Sequence, residues 1–189
     1  MFKKNHIEVF DDVIPNNIQN YFENFIINNT QPEIQWLLQS NLSGVQHVDS
    51  DNFGFSCSLF DGRQPENINR IYSFRFLQIP YILASYLKLN IIDLYSTRLF
   101  LTTPSKRKTP IYEGIHTDLT FKHQVMLYYL NDSEGETVFF EKDKKTEITR
   151  VSPKKGRIAL FSGDIPHCNS LPDKNIRVIL NTNLLLEPF

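Results

Sequence analysis

The residues with the clearest chemical potential are two histidines, an aspartate and an arginine in the second half of the chain. His116 and Asp118 are separated by one residue, His167 follows a proline, and Arg177 lies ten residues beyond His167. Because side chains alternate between the two faces of an extended strand, His116 and Asp118 would point the same way. Together with His167 they form a two-histidine, one-carboxylate set, the ligand pattern of non-heme Fe(II) sites. These three residues are therefore the candidate metal ligands and catalytic residues.

Arg177 stands in an apolar run over residues 176–180. A guanidinium buried without a partner is costly, so we expect Arg177 to bind a carboxylate. Each of these signals is weak by itself, but their order along the chain is informative. A ligand pair is followed by about fifty residues of strand-like sequence, then by a third ligand and a basic residue on the last strand. That order favours a single site built from all four residues.

Composition indicates one globular domain and limits the classes of partner. The 189 residues are 41% hydrophobic and 13% aromatic, enough for one well-filled core. A net charge of −1 gives no general attraction to nucleic acid or to an anionic membrane, and no apolar window approaches the length of a membrane span. Cys57 and Cys168, the two cysteines, lack the spacing of a zinc or redox motif, which favours a reducing cytoplasm. The sequence leaves the oligomeric state open.

The first 90 residues are predicted to be mainly helical. A strand over residues 7–10 leads to a helix with Pro15 in its first turn, and residues 68–89 have helical character with a break or a new start at Pro80. The second of these helices should bury Ile79, Ile82, Leu83, Tyr86 and Leu87. Residues 28–65 are rich in Asn, Ser, Gly and Asp with isolated aromatics. They fit either short strands that cover the core or a lid over a substrate.

From residue 92 onwards the apolar pattern alternates, as in antiparallel strands. The predicted strands cover residues 92–103, 112–118, 123–131, 136–141, 147–151, 157–162 and 175–185, with polar turns between them. This pattern predicts an α+β, mainly β fold: a double-stranded β-helix (jelly-roll, cupin-like) core over residues 91–189, braced by helices from residues 1–90. The candidate ligands would meet at one end of this single domain, 1–189.

These motifs resemble the Fe(II)- and 2-oxoglutarate-dependent oxygenase superfamily, in particular its prolyl-4-hydroxylase-like branch and small phage-type members. The match covers most of the chain, from the strand-then-helix opening at residues 7–15 to the last strand. The resemblance implies that His116, Asp118 and His167 bind iron. It also implies that Arg177 holds the far carboxylate of 2-oxoglutarate, and that the protein acts in the cytoplasm of a cell or of an infected host cell.

Two further strands carry the resemblance. The sequence Leu-Tyr-Tyr-Leu-Asn at 127–131 is similar to a prolyl hydroxylase strand whose second tyrosine contacts the same carboxylate, which implies this role for Tyr129. The sequence Gly-Glu-Thr-Val-Phe-Phe at 135–140 is similar to the family's Gly-Gly-Glu-Thr-x-Phe strand, which directs Thr137 towards the cosubstrate. Two positions depart from the pattern. Glu134 replaces the first glycine, and Ile179 stands where the family often has a serine that contacts the cosubstrate.

The resemblance implies a dioxygenase that uses Fe(II), 2-oxoglutarate and O2, with ascorbate as a supporting reductant. It would hydroxylate a C–H bond of a peptidyl substrate, including a prolyl one, or of a small molecule, and release succinate and CO2. Two alternatives remain open. One is a non-catalytic metal- or ligand-binding module of the same fold. The other is a cupin-like metal-dependent hydrolase or isomerase, because the same ligands suit a catalytic zinc ion, although that chemistry does not need Arg177.

Overall fold

A computed structural model describes residues 6–28, 34–39, 54–62, 70–105 and 114–188. This part of the chain contains ten strands: β1 (Ile7–Phe10), β2 (Leu37–Gln39), β3 (Gly54–Asp61), β4 (Leu89–Thr102), β5 (Gln124–Tyr129), β6 (Thr137–Phe140), β7 (Glu147–Val151), β8 (Ile158–Ser162), β9 (His167–Asn169) and β10 (Arg177–Pro188). It also contains three α-helices: α1 (Asn16–Glu23), α2 (Arg70–Phe76) and α3 (Gln78–Leu87). A π-helical turn, Asn24–Asn28, continues α1.

The described strands form two antiparallel sheets. The larger has seven strands in the order β1-β8-β5-β10-β4-β3-β2, and the smaller has three in the order β7-β6-β9. Phe139 of the smaller sheet packs edge-on against Phe161 of the larger one, with ring centroids 4.8 Å apart. The two sheets therefore face each other across a shared apolar layer. This confirms the predicted double-stranded β-helix.

Strand β5 is buried on both faces of the large sheet. All six of its residues are buried. Met126 and Tyr128 belong to the core on the helical side of the large sheet, whereas Val125, Leu127 and Tyr129 belong to the core between the sheets. Because both faces of the strand are covered, residues 125–129 do not show the alternation of apolar and polar residues of a strand with one solvated face.

The helices brace the outer face of the large sheet. Phe22 of α1 stacks on Phe76 of α2, with ring centroids 4.6 Å apart. Helix α3 begins two residues before Pro80, so the proline lies in the first turn, where its missing N–H costs nothing. Of the two expectations for Pro80, a new helix start is the correct one.

One expectation for α3 is wrong. Tyr86 is 62% exposed rather than buried. The buried residues of the helix are Ile79, Pro80, Leu83 and Ala84. That set turns the apolar face away from Tyr86, whose ring instead lies edge-on to Phe10 at 6.3 Å.

The N-terminal third also supplies strands β1, β2 and β3 to the edges of the large sheet. Within the uncertain segment 28–65, residues 54–61 form strand β3, as the strand interpretation expected. The lid interpretation depends largely on residues 29–33 and 40–53, which lie outside the described residues. Cys57 and Cys168 are buried and are not joined in a disulfide. No described helix is long and apolar enough to cross a membrane.

Strand β10 positions the site. It pairs with β5 on one side and with β4 along its whole length on the other. Its odd-numbered residues point into the space between the sheets. Arg177, Ile179, Asn181 and Asn183 all line the cavity described below. A single strand thus sets the spacing of the polar groups on the cavity floor.

Candidate metal centre

The backbone places the two candidate histidine ligands side by side. The N–H of His116 donates to the carbonyl of His167 at 3.0 Å, and the N–H of His167 donates to the carbonyl of His116 at 2.9 Å. Residues that exchange both bonds in an antiparallel pair lie directly opposite each other with their side chains on one face. The two imidazole rings accordingly have centroids 4.9 Å apart. In the described part of the predicted strand 112–118, this bridge at His116 is the sole pairing.

Hydrogen bonds fix which ring nitrogen of each histidine is available. Nδ1 of His116 lies 2.8 Å from the carbonyl oxygen of Gly114, and Nδ1 of His167 lies 3.1 Å from that of Ile165. A carbonyl can only accept, so both Nδ1 atoms carry the proton and donate. In the neutral form of either ring, the lone pair is then on Nε2, which is the nitrogen that could bind a metal. A backbone carbonyl on the other ring nitrogen is the usual support of a metal-binding histidine.

Asp118 completes the cluster. Its Oδ1 lies 3.3 Å from Nε2 of His116 and 3.5 Å from Nε2 of His167. One ligand atom from each residue falls within 4.8 Å of the other two. Nδ2 of Asn181 donates to the second oxygen, Oδ2, at 3.0 Å. The carboxylate is therefore oriented by Asn181 with one oxygen directed at the histidines.

The electrostatics of the cluster keep Asp118 ionised. Burial acts to raise its pKa, but hydrogen bonds from His116, His167 and Asn181 outweigh burial and hold the pKa of Asp118 well below its usual range. Burial likewise acts to lower the pKa of His116, yet the neighbouring Asp118 carboxylate leaves the pKa of that imidazole raised. A carboxylate charge held between the half-buried imidazole of His116 and the buried imidazole of His167 favours a divalent cation. Two imidazoles and one carboxylate suit Fe(II).

The residues predicted to bind 2-oxoglutarate also meet. Arg177 is 3% exposed, and its Nη2 donates to Oγ1 of Thr137 at 2.8 Å. The hydroxyl of Tyr129 lies 2.7 Å from the same Oγ1, and the Arg177 guanidinium carbon lies 5.7 Å from the centre of the Tyr129 ring. Thr137 and Arg177 line the cavity, whereas Tyr129 is fully buried behind Thr137. Thr137 thus links the other two side chains.

The turn before β6 fits closely around Arg177. A Cβ placed on Gly135 would lie 3.0 Å from Cδ of Arg177 and 2.9 Å from the carbonyl oxygen of Ser170. Glu134, which departs from the family pattern, accepts hydrogen bonds from the backbone N–H groups of Lys174 and Asn175. Glu134 therefore holds the loop that leads into Arg177, so the departure has a structural role.

A cavity of about 850 Å³ is lined by the His116, Asp118 and His167 cluster together with Thr137, Arg177 and Asn181. Its walls extend from the cluster of His116, Asp118 and His167 over strands β10, β4 and β3. The lining beyond the cluster includes a group of polar side chains, Gln39, Ser56, Ser58, Asp61, Ser96, Arg98 and Asn183. The volume lies within the range of small-molecule sites.

Asn181 is a residue of the candidate site that the sequence analysis did not identify. An asparagine on a strand carries no signal of its own. Its position on the strand was informative. Asn181 lies four residues after Arg177 on the last predicted strand, so the two side chains point to the same face of the sheet. Only the fold shows that this face also meets Asp118.

No protein-family model matches the sequence, and no curated protein matches it. Several solved structures do match. A 2OG-Fe(II) oxygenase-family oxidoreductase from Burkholderia pseudomallei superimposes with a TM-score of 0.69 at 10% identity, over 95% of this chain and 84% of that chain. The chain has the fold of the 2-oxoglutarate/Fe(II) oxygenases. The predicted resemblance is confirmed at the level of the fold.

Two other solved structures with this oxygenase fold contain bound ligands. A prolyl hydroxylase from Trichoplax adhaerens, in complex with a hypoxia inducible factor peptide fragment, matches with a TM-score of 0.61 at 13% identity, over 96% of this chain and 84% of that one. HygX from Streptomyces hygroscopicus, with nickel and 2-oxoglutarate bound, matches with a TM-score of 0.56 at 10% identity, over 97% and 83%. Proteins with this fold therefore bind different ligands, a peptide in one structure and nickel with 2-oxoglutarate in the other.

Proposed function

We propose that the protein is an Fe(II)- and 2-oxoglutarate-dependent dioxygenase that hydroxylates a C–H bond of its substrate. The observation that carries this proposal is that two sets of residues line one cavity. One is the His116, Asp118 and His167 cluster, with both Nε2 atoms available. The other is the buried guanidinium of Arg177. The oxygenase fold of the chain supports the same reaction class.

Each residue has a defined part in this proposal. His116, Asp118 and His167 hold the iron, and Asn181 orients Asp118. Arg177 binds the far carboxylate of 2-oxoglutarate through paired N–H donors, a geometry that suits a planar carboxylate. Thr137 and Tyr129 set the position of Arg177.

Iron and 2-oxoglutarate, when bound, supply the oxidising power of the reaction. In the balanced reaction, 2-oxoglutarate loses CO2 and becomes succinate. One oxygen atom of O2 enters the succinate carboxylate and the other is inserted into the substrate C–H bond. Ascorbate would serve as a supporting reductant. The apolar side chains of Leu127 and Ile179 line the cavity beside the cluster and limit the access of water.

The substrate is proposed to be a peptide or a small molecule. The peptide complex of the Trichoplax prolyl hydroxylase is a precedent for the first class. The net charge of −1 favours neither nucleic acid nor an anionic surface as a partner. Cys57 and Cys168 are buried and are not joined in a disulfide, which suits the reducing cytoplasm expected from the sequence.

The two alternative functions make different predictions. A hydrolase or isomerase built on a zinc ion would not need Arg177 beside the cluster. A non-catalytic module would bind metal and ligand without forming succinate. The buried guanidinium of Arg177 lines the same cavity as the cluster and would match the charge of a carboxylate there, which supports the dioxygenase.

Succinate release tests the proposal without a known substrate. Purified protein is incubated in air with Fe(II), ascorbate and 2-oxoglutarate, beside the Asp118→Ala variant. We expect wild type to release succinate slowly and Asp118→Ala to release none above the protein-free background. Equal release by both proteins would contradict the assignment of the cluster. The Arg177→Ala variant should release succinate only at a raised concentration of 2-oxoglutarate.

A further inference from the structure

The cavity contains a second arginine, Arg98, which the proposed reaction does not use. Arg98 lies on β4 directly opposite Asn181 of β10. Adjacent strands are about 4.8 Å apart. Arg98 therefore stands one strand away from the residue that orients Asp118, and it lines the same cavity. This places it beside the metal cluster, on the side that leads to β3.

The two arginines are too far apart to bind one diacid. Arg177 precedes Asn181 by four residues on β10, and at about 3.4 Å per residue the two rows of side chains are separated by about 14 Å along the strand. A five-carbon chain has four C–C bonds of about 1.5 Å and spans about 5 Å. An intervening row, with Ile179 and Phe100 opposite each other, separates the two rows. Arg98 is thus available to a different ligand.

The guanidinium of Arg98 keeps most of its donors for that ligand. Its Nη2 donates to Oδ2 of Asp61 at 2.8 Å, and with respect to the described residues it makes no other hydrogen bond. An arginine has five N–H donors. The side chain of Arg98 is 39% exposed, whereas that of Asp61 is 6% exposed. The cavity therefore offers a cation with unused donors beside a largely buried carboxylate.

The groups around this ion pair are polar as well. Ser58 lies opposite Arg98 on β3, and Asp61 lies opposite Ser96. Nδ2 of Asn183 donates to the Ser96 hydroxyl at 3.1 Å. A proline ring within a peptide is uncharged, so its binding would not need the ion pair of Arg98 and Asp61. Adjacent positive and negative charges instead complement a small zwitterion.

We infer that the substrate is a free amino acid. Its carboxylate binds Arg98, its ammonium group faces Asp61, and its side chain points to the metal cluster. This inference rests on the proposed function and names the substrate class of the same site. The reaction is the proposed hydroxylation, in which one oxygen atom of O2 is inserted into a C–H bond of the amino acid side chain. Arg98 is then the residue that sets specificity for a free carboxylate.

The test compares free amino acids with their carboxamides. Each of the standard L-amino acids, and each corresponding amide, is added to the protein with Fe(II), ascorbate, 2-oxoglutarate and air, and succinate is measured. We expect one or more free amino acids to raise succinate release at least about tenfold and to gain one oxygen atom in mass. The matching amide should not do so, because it has lost the charge that Arg98 binds.

Variants separate recognition from the reaction itself. Arg98→Gln should lower the stimulation by about ten- to a hundredfold, since it removes charge-assisted hydrogen bonds. Anaerobic binding of Fe(II) and 2-oxoglutarate should be unchanged in this variant, which also shows that it is folded. The matched control is Arg75→Gln, in α2 on the outer face, where the arginine donates to the Tyr21 hydroxyl. It should respond like wild type.

Three results would overturn the inference: no stimulation by any free amino acid, equal stimulation by the amide, or full stimulation in Arg98→Gln. A different result concerns the proposed function. If wild type did not bind Fe(II) and 2-oxoglutarate together, the dioxygenase assignment would fail, and this inference with it. Normal binding without stimulation would overturn the amino acid inference alone.

Discussion

Asn181 donates a hydrogen bond from Nδ2 to Oδ2 of Asp118 at 3.0 Å. Asn181 lies on the central strand of the large sheet, whereas Asp118 follows the bridge between His116 and β9. The bond therefore joins the large sheet to the loop that carries two of the three ligands. It leaves Oδ1 of Asp118 facing the two histidines.

Asn181→Ala should lower the affinity for Fe(II). Loss of a partner that orients a metal ligand typically costs 10- to 100-fold in affinity, and we expect an effect in about that range. Asn183→Ala, two residues further along the same face, is the control and should bind Fe(II) like wild type. The measurement is an anaerobic metal titration of all three proteins. Wild-type affinity in Asn181→Ala would show that Asp118 needs no such support.

Gly135→Ala should weaken the binding of 2-oxoglutarate. The new Cβ would lie 3.0 Å from Cδ of Arg177 and 2.9 Å from a backbone carbonyl, so the arginine must shift. We expect about tenfold weaker binding, equivalent to ~1.4 kcal/mol, and a loss of stability of about 1–3 kcal/mol.

The control for this change is Gly62→Ala, whose Cβ would meet nothing closer than 3.6 Å. Its 2-oxoglutarate affinity should equal that of wild type. Calorimetric titration with 2-oxoglutarate compares the three proteins. If Gly135→Ala and Gly62→Ala bound equally well, the close fit around Arg177 would have no role in cosubstrate binding.

Thr137→Val should be costly although it preserves the shape of the side chain. The change removes the hydroxyl that accepts from Arg177 and contacts the Tyr129 hydroxyl, so buried polar groups lose their partner. We expect a loss of about 1–3 kcal/mol in the free energy of unfolding, together with weaker binding of 2-oxoglutarate.

Thr182→Val provides a matched comparison. Thr182 is fully buried, and its hydroxyl has no hydrogen-bond partner among the described residues. Replacing it with valine should leave stability within about 0.5 kcal/mol of wild type or raise it. Urea unfolding curves measure both variants. A larger loss for Thr182→Val than for Thr137→Val would refute the importance of the Thr137 link.

The ion pair of Asp11 with Arg157 should make stability depend on pH in acid. Nε and Nη2 of Arg157 donate to the two carboxylate oxygens of Asp11, each at 2.9 Å. Hydrogen bonding from Arg157 is the main reason that the pKa of Asp11 falls from 3.8 to about 2. A carboxyl with a lowered folded pKa stabilises the protein above its unfolded pKa, and this stabilisation is lost as pH falls through the folded value.

Asp11→Asn should accordingly reduce the free energy of unfolding by about 1 kcal/mol at pH 7 and by the same amount at pH 5, after allowance for solvent screening. At pH 3 the difference between the variant and wild type should be smaller, and at pH 2 smaller again. Chemical denaturation at the four pH values measures this difference. A difference that stayed constant from pH 7 to pH 2 would mean that the ion pair does not contribute.

Sequence patterns could predict the fold and the cluster because both depend on local features. Alternating apolar residues revealed most strands, and His116, Asp118 and His167 belong to a spacing with few other uses. Strand β9 was not predicted, since three residues are too short for a periodic signal. Its role in pairing His167 with His116 therefore emerged only in three dimensions.

Contacts between distant strands could not be predicted. The pairing of Asp61 with Arg98 depends on the register of β3 against β4, which shifts between Ser58 and Phe60. A shift of one residue reverses the face of every side chain beyond it, and no local pattern fixes such a shift. The same holds for Asn181, whose partner lies 63 residues away in the sequence.

The most direct test of the central claim is an anaerobic titration of the protein with Fe(II) and 2-oxoglutarate, followed by visible absorption. Chelation of the metal by the keto acid produces an absorption band that neither component gives alone. We predict a saturable band in wild type and none in Asp118→Ala. In Arg177→Ala the band should need a higher concentration of 2-oxoglutarate. Absence of the band in wild type, or an equal band in Asp118→Ala, would contradict the account.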